Sequence, residues 1–324
     1  MKQHTFGLLL ALFSTSSYAV IDGTRVDWAI MDDMVDMNCS GTIIAGKYVL
    51  TAAHCEGGSA VSTANATVQV SQDNMLNHPD WDSSGWQHDV SFWTLPELAS
   101  THSIHFFADL TTDPVTQGDT VYLFGFGGDT SLAYAAMNID MSNPEDATKL
   151  RYKTIYTGNG LLYGGDSGGA VLNKNKEIVA VNNAIAGLDG DDSAFSANLS
   201  KSKDFILKTI NGWHYPTLAN TSNGSATITV QSLHVNEYSD TAYESGNTII
   251  TGGTCRNATN IQPFSTCTYI VESQGAGTLH LSDSESITIN KPVPTSDSSG
   301  GDSGGSLGFL SLIGLLGLGF IRRK

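Results

Sequence analysis

The sequence predicts an all-β protein, and three observations predict it. Short apolar runs recur between Gly, Asn and Asp turns from Val20 to about Ile210. Only 15% of the 324 residues are charged and 34 are glycine, a composition that favours short strands and turns over helical bundles. Strand-like runs follow one another without intervening helices, as in an antiparallel barrel or sandwich.

The chain opens with what reads as a secretory signal peptide over residues 1–19. Lys2 and His4 precede an apolar run from Phe6 to Phe13, and Ser17-Tyr18-Ala19 supplies a small-x-small cleavage site. The mature protein would start at Val20. Export makes the four cysteines interpretable: an even count in an oxidising compartment suggests two disulfides, and proximity pairs Cys39 with Cys55 and Cys255 with Cys267. There is no Cys-x-x-Cys, and the nine histidines show no metal-ligand spacing, so no metal and no cofactor is predicted. A net charge of −16 argues against nucleic-acid binding and suits a soluble exported protein.

The first domain is read as residues 20–215. Its strands include Thr42-Ile43-Ile44, Tyr48-Val49-Leu50, Thr67 to Val70, Thr120 to Phe124 and Ile178 to Val181. One helix is expected, from Lys201 to Asn211, where Phe205, Ile206 and Ile210 are spaced helically and Gly212 can end the last turn. Residues 220–290 form a second, smaller region. Ala226, Ile228 and Val230, then Leu279 and Leu281, then Ile287 and Ile289 alternate with polar residues, as half-buried strands do. A region of that size has a marginal core, so a Cys255–Cys267 staple would matter. It is read as a small, immunoglobulin-like β-sandwich without chemistry of its own.

Residues 291–306 are a Ser/Gly/Asp linker that cannot bury a core. Residues 307–324 close the chain with an apolar run from Leu307 to Ile321, then Arg322-Arg323-Lys324. The run is shorter than the roughly 20 residues that span a bilayer comfortably, and its basic end would stay in the cytoplasm.

The pentapeptide Gly165-Asp166-Ser167-Gly168-Gly169 places a serine between glycines, just before the apolar run Ala170-Val171-Leu172. Glycines allow tight backbone conformations in which a hydroxyl and nearby N–H groups face one point. The same five residues recur at Gly301-Asp302-Ser303-Gly304-Gly305. That copy lies in the linker with no strand after it, so Ser303 is read as non-catalytic.

Thr51-Ala52-Ala53-His54-Cys55, His88-Asp89-Val90-Ser91-Phe92 and the pentapeptide at 165–169, in that order, resemble the three signatures of trypsin-like serine proteases with the chymotrypsin fold. The resemblance implies two antiparallel six-stranded β-barrels with a C-terminal helix. It also implies a triad in which Ser167 is the nucleophile, His54 the general base and then acid, and Asp89 the group that orients the imidazole. The N–H groups of Gly165 and Ser167 would form the oxyanion hole. His78, His88, His102 and His105 are left as surface or hydrogen-bonded residues.

Val20-Ile21-Asp22-Gly23 resembles the start of mature family members, whose freed amine pairs with the aspartate before the serine. Signal removal would then free the Val20 amine to pair with Asp166. The resemblance also assigns the primary pocket to Leu161, Ile185 and Ala194, hence a preference for small or medium apolar P1 residues; Tyr163 replaces the cysteine usual near the nucleophile. The tail resembles the GlyGly-CTERM sorting signal, and exported proteases of Vibrio-type bacteria combine such a tail with a protease domain and a small β-domain. That implies signal peptidase, type II secretion, a rhomboid-type sorting protease and transient or anchored membrane association, with display at the cell surface or release. The reading is therefore a secreted serine endopeptidase acting on proteins or peptides. The competing reading is a catalytically silent surface binding protein or adhesin built on a protease fold.

Overall fold

A computed structural model describes residues 20–127, 131–142, 148–158, 160–185 and 193–292. The segment read as a signal peptide, the Ser303 copy, the apolar tail and nearly all of the linker lie outside the described residues.

Strand β1 (Thr24–Arg25) leads into seven strands that pair as one antiparallel sheet: β2 (Met34–Asp36), β3 (Ser40–Ile44), β4 (Tyr48–Thr51), β5 (Ala60–Ser62), β6 (Thr67–Gln69), β7 (Met75–Asn77) and β8 (Ser91–Thr94). Their order is β6-β5-β2-β3-β4-β8-β7, one strand more than the six expected. The short hairpin β5–β6 extends the sheet beyond β2. Ile43, Val49, Leu50, Phe92 and Trp93 are buried in its core, so apolar side chains leave water on both sides of β3 and β4.

The next six strands are β9 (Thr120–Gly125), β10 (Ala133–Asp140), β11 (Arg151–Tyr156), β12 (Ala170–Leu172), β13 (Ile178–Ile185) and β14 (Ser193–Asn198). They run β9-β10-β11-β14-β13-β12 and return to β9, a closed six-stranded barrel with no free edge between its members. β1 adds to the outer end of β10 through Thr24 and Arg25. Strand β10 alternates buried and half-buried residues along its whole length, the period-2 signature of a barrel wall.

The expected helix, α1, spans Lys203–Ile210 and is preceded by a short 3-10 turn, Leu199–Lys201. Asn211, not Gly212, takes the left-handed conformation that ends it (φ 41). Asparagine tolerates that region better than other side-chain-bearing residues do.

The last six strands are β15 (Trp213–His214), β16 (Leu218–Ala219), β17 (Ser225–Ser232), β18 (Tyr243–Gly252), β19 (Thr266–His280) and β20 (Ser286–Ile289). Their pairing runs through one sheet, β15-β17-β19-β20-β16, with β18 on the other edge of β19. The small sandwich expected from the sequence is thus a single sheet, and residues 213–219 contribute two of its strands. Cys267, Tyr269 and Val271 point alternately from β19 into a core with Trp213, Val230, Leu279 and Ile287.

This sheet is tied to the rest. Gln231, fully buried, accepts the Phe107 N–H (3.0 Å) and donates to Phe107 O (2.7 Å). His214 Nδ1 accepts the Ala45 N–H at 3.0 Å. Burial pushes the His214 imidazole down to about 4, which suits a ring that must accept at Nδ1. The described residues through Lys291 form one compact unit. Among the described residues no helix is long and apolar enough to cross a membrane.

Both disulfides form, Cys39–Cys55 and Cys255–Cys267. Replacing Cys255 and Cys267 together by alanine should lower the unfolding free energy by about 2–4 kcal/mol, read from urea midpoints. An unchanged midpoint would show that this sheet is held by its contacts with the barrels.

Candidate active site

β4 and β8 are antiparallel neighbours, with Thr51 opposite Ser91. His54 follows the end of β4 and Asp89 precedes the start of β8, so the register alone brings the two together. The Cys39–Cys55 bridge holds the turn that carries His54. Asp89 is fully buried, and its two oxygens are separately used. Oδ1 accepts the His54 backbone N–H at 2.9 Å, and Oδ2 lies 2.7 Å from His54 Nδ1.

A carboxylate only accepts, so Nδ1 must carry the hydrogen of that bond. In the neutral ring Nε2 is then unprotonated, the form a general base requires. The His54 side chain remains 23% exposed. Behind this pair His78 and His88 stack at 4.3 Å. Burial, with the neighbouring His88, pushes His78 down to about 4.

Ser167 sits in a turn that only glycines allow. Gly165 has φ 104 and Gly168 φ 83. A Cβ on Gly168 would lie 2.0 Å from Thr51 Oγ1, and one on Gly169 would lie 1.9 Å from Phe124 O. The turn is locked to the first sheet and to β13. Ser40 N–H donates to Ser167 O (2.7 Å), Ser40 Oγ donates to Gly165 O (2.8 Å), and Gly168 N–H donates to Asn182 O (2.7 Å). Among the described residues the N–H groups of Gly165 and Ser167 meet no acceptor in the protein. Such free, preoriented donors are what an oxyanion needs, worth roughly 3–4 kcal/mol for a key donor.

Asp166 is fully buried behind the serine, and burial pushes its carboxyl up to about 6. Its Oδ2 accepts the Tyr163 N–H at 2.7 Å. The backbone N–H groups of Val20 and Gly127 face the same carboxyl, while Oδ1 makes no well-formed hydrogen bond. Val20 itself is fully buried, and the next residue, Ile21, bridges Leu161.

His54 and Ser167 open onto a cavity of about 270 Å³, walled by Trp86, Tyr163, Gly164, Asn182 and Asn183. Trp86 meets the His54 ring edge-on at 4.9 Å, and Tyr163 is 57% exposed at the rim. Leu161, assigned to the primary pocket from the sequence, is 47% exposed and does not line this cavity. Ala194 is fully buried on β14, opposite the Ile185 backbone; the Ile185 side chain lies outside the described ones.

His102 and His105 bond instead to Asp32 (3.3 Å) and Asp33 (2.9 Å), away from the cavity. Cys39, His54 and Cys55 cluster within 4.8 Å, but the sulfurs are spent in the disulfide and offer no thiolate. Sequence reasoning missed Trp86 and Asn182 as cavity walls. Trp86, a tryptophan three residues before Asp89 in a polar loop, was the one available signal; Asn182 carried none.

Two barrel-like β-sheets, a carboxylate-held histidine and a serine in a glycine turn define a chymotrypsin-fold scaffold of the serine-hydrolase class. The chain belongs to the trypsin family, described as Trypsin, whose model matches residues 21–206. Its fold is shared with two mutants of human heparin binding protein (CAP37), at 16% and 17% identity and TM-scores of 0.50 and 0.51, each covering 59% of this chain and 96% and 97% of theirs. It is similarly shared with neuropsin, a serine protease expressed in the limbic system of mouse brain, at 19% identity and TM-score 0.51, covering 59% of this chain and 99% of that one. Family and fold support a serine-type peptide hydrolase.

Proposed function

We propose that this protein is an exported serine endopeptidase working through Ser167, His54 and Asp89. The observation that carries the reading is the Asp89–His54 pair, with Nδ1 held at 2.7 Å and the ring opening onto the cavity that Ser167 shares. Ser167 Oγ attacks the scissile carbonyl carbon and its proton passes to His54 Nε2. The carbonyl oxygen becomes an oxyanion between the Gly165 and Ser167 N–H groups. Collapse breaks the C–N bond, His54 returns the proton to the leaving amine, and water, activated by the same imidazole, hydrolyses the acyl-enzyme.

The buried Val20 and the under-satisfied Asp166 carboxyl support activation by the Val20 amine after signal removal. We extend the proposal to sorting of the tail through the double glycine at 304–305, with passage across the cell envelope to the surface or the medium. Mass spectrometry of the exported protein checks both ends: a mature start other than Val20 sinks the activation scheme.

The endopeptidase reading is tested with a fluorophosphonate probe. Labelling is expected on the wild type, lost in Ser167→Ala and kept in Ser303→Ala. A properly exported wild type that fails to label supports the silent binding protein instead.

A further inference from the structure

β13 and β14 pair in register until Asn182 faces Ser196; the next pair is Ala184 with Phe195. Asn183 is therefore an extra residue, a bulge that lets consecutive side chains turn towards the same space. Asn182 and Asn183 both line the cavity beside Ser167, although they are only 3% and 1% exposed.

Each asparagine spends its amide on the protein. Asn182 Nδ2 donates to Asp166 O (3.0 Å) and Asn183 Nδ2 to Trp86 O (3.4 Å). Those bonds fix which end of each carboxamide is oxygen. Both Oδ1 atoms are buried and without a partner. Ser196, directly across from Asn182 on the same face of the sheet, is fully buried with Oγ also unpartnered. Two residues along β14 from Ser196, on that face again, Ala194 contributes only a methyl group.

Buried polar atoms without partners are uncommon and costly; here two belong to residues of the cavity wall beside Ser167 and the third to Ser196, the cross-strand neighbour of Asn182 behind that wall. Two are pure acceptors and the third both donates and accepts. Among the described residues no Asp, Glu, Lys or Arg lines the cavity. A side chain that satisfies this set must bring N–H or O–H donors without a net charge. An aliphatic group leaves all three unpaired, a carboxylate sets oxygen against oxygen, and an ammonium or guanidinium meets no counter-charge among the described lining residues.

We infer that the pocket beside Ser167 selects an uncharged carboxamide side chain, glutamine or asparagine, at the residue whose carbonyl is attacked. The inference rests on the endopeptidase reading and replaces the apolar preference expected from Leu161, Ile185 and Ala194.

Peptides differing only at that residue (Gln, Asn, Leu, Ala, Lys, Glu) are incubated with the purified mature protein after fluorophosphonate labelling has shown Ser167 to be reactive. Gln or Asn is expected to give kcat/KM at least tenfold above Leu and Ala. Ser196→Ala should cut the Gln-to-Leu ratio about tenfold and Ser196→Thr should restore it. Because the Ser196 hydroxyl has no partner to lose, the alanine variant should unfold at the same temperature or higher. A reactive enzyme that prefers Leu, Ala, Lys or Glu, or a ratio indifferent to Ser196→Ala, overturns the pocket assignment and leaves the endopeptidase standing. Absence of labelling overturns both.

Discussion

Asp89→Asn is expected to lower kcat by about 10⁴ while leaving the fold intact, the size of loss seen when such a carboxylate becomes an amide. The geometry dictates the direction. Oδ1 of Asp89 takes the backbone N–H of His54, so the amide oxygen must occupy that position. The amide NH₂ is then forced against His54 Nδ1, where Oδ2 now stands at 2.7 Å. Two donors cannot share that bond, so Nδ1 becomes the acceptor and the proton moves to Nε2. A ring protonated at Nε2 cannot take the proton of Ser167. Steady-state kinetics and the rate of fluorophosphonate labelling should fall together, with thermal unfolding close to wild type. A loss of less than tenfold would show that Asp89 does not set the tautomer.

The second large effect concerns Val20. A chain that keeps residues before Val20 should be at least a hundredfold less active than one starting there, because an uncompensated buried carboxylate costs about 3–5 kcal/mol and disturbs the turn that holds Ser167. Two features of the joined chain strain it. Val20 lies at φ 31, a region that β-branched residues avoid, and cleavage before Val20 removes that torsion. Asp166 has its carboxyl raised from 3.8 to about 6 by burial.

A raised carboxyl favours the folded state below about pH 3.8, and that advantage is lost as pH climbs through about 6. The corresponding linkage is about 3 kcal/mol. A free ammonium at Val20 supplies the missing charge and brings the carboxyl back down. The unfolding temperatures of the joined and cleaved chains should therefore diverge between pH 4 and pH 7.5, with the cleaved form gaining. Asp166→Asn should abolish the divergence. Equal pH profiles for the two forms would dismiss the pairing.

Much of the site was legible in the sequence because its residues lie inside short motifs whose neighbours are themselves required. Gly168 and Gly169 flank Ser167 because a Cβ at either would strike Thr51 or Phe124. Cys55 follows His54 because its disulfide pins the turn. The strands were legible because short apolar runs stand between turn residues, as at Tyr48 to Leu50 and Ile178 to Val181. The C-terminal region was read less well. Alternation reports that one face is buried, not how many sheets bury it, and its first two strands, β15 and β16, are two residues each, too short to show a period.

The sequence by itself put His54, Asp89 and Ser167 forward in that order, through motifs that resemble a known family, and it determined both disulfides and the all-β class, since those depend on pairing and patterning between near neighbours. Only the tertiary structure decided what surrounds the nucleophile. The bulge at Asn183, the face that Asn182 shares with Ser196, and Trp86 against His54 arise from strand registers and loop packing that no local motif records. A one-residue shift in any of them would turn different side chains into the pocket.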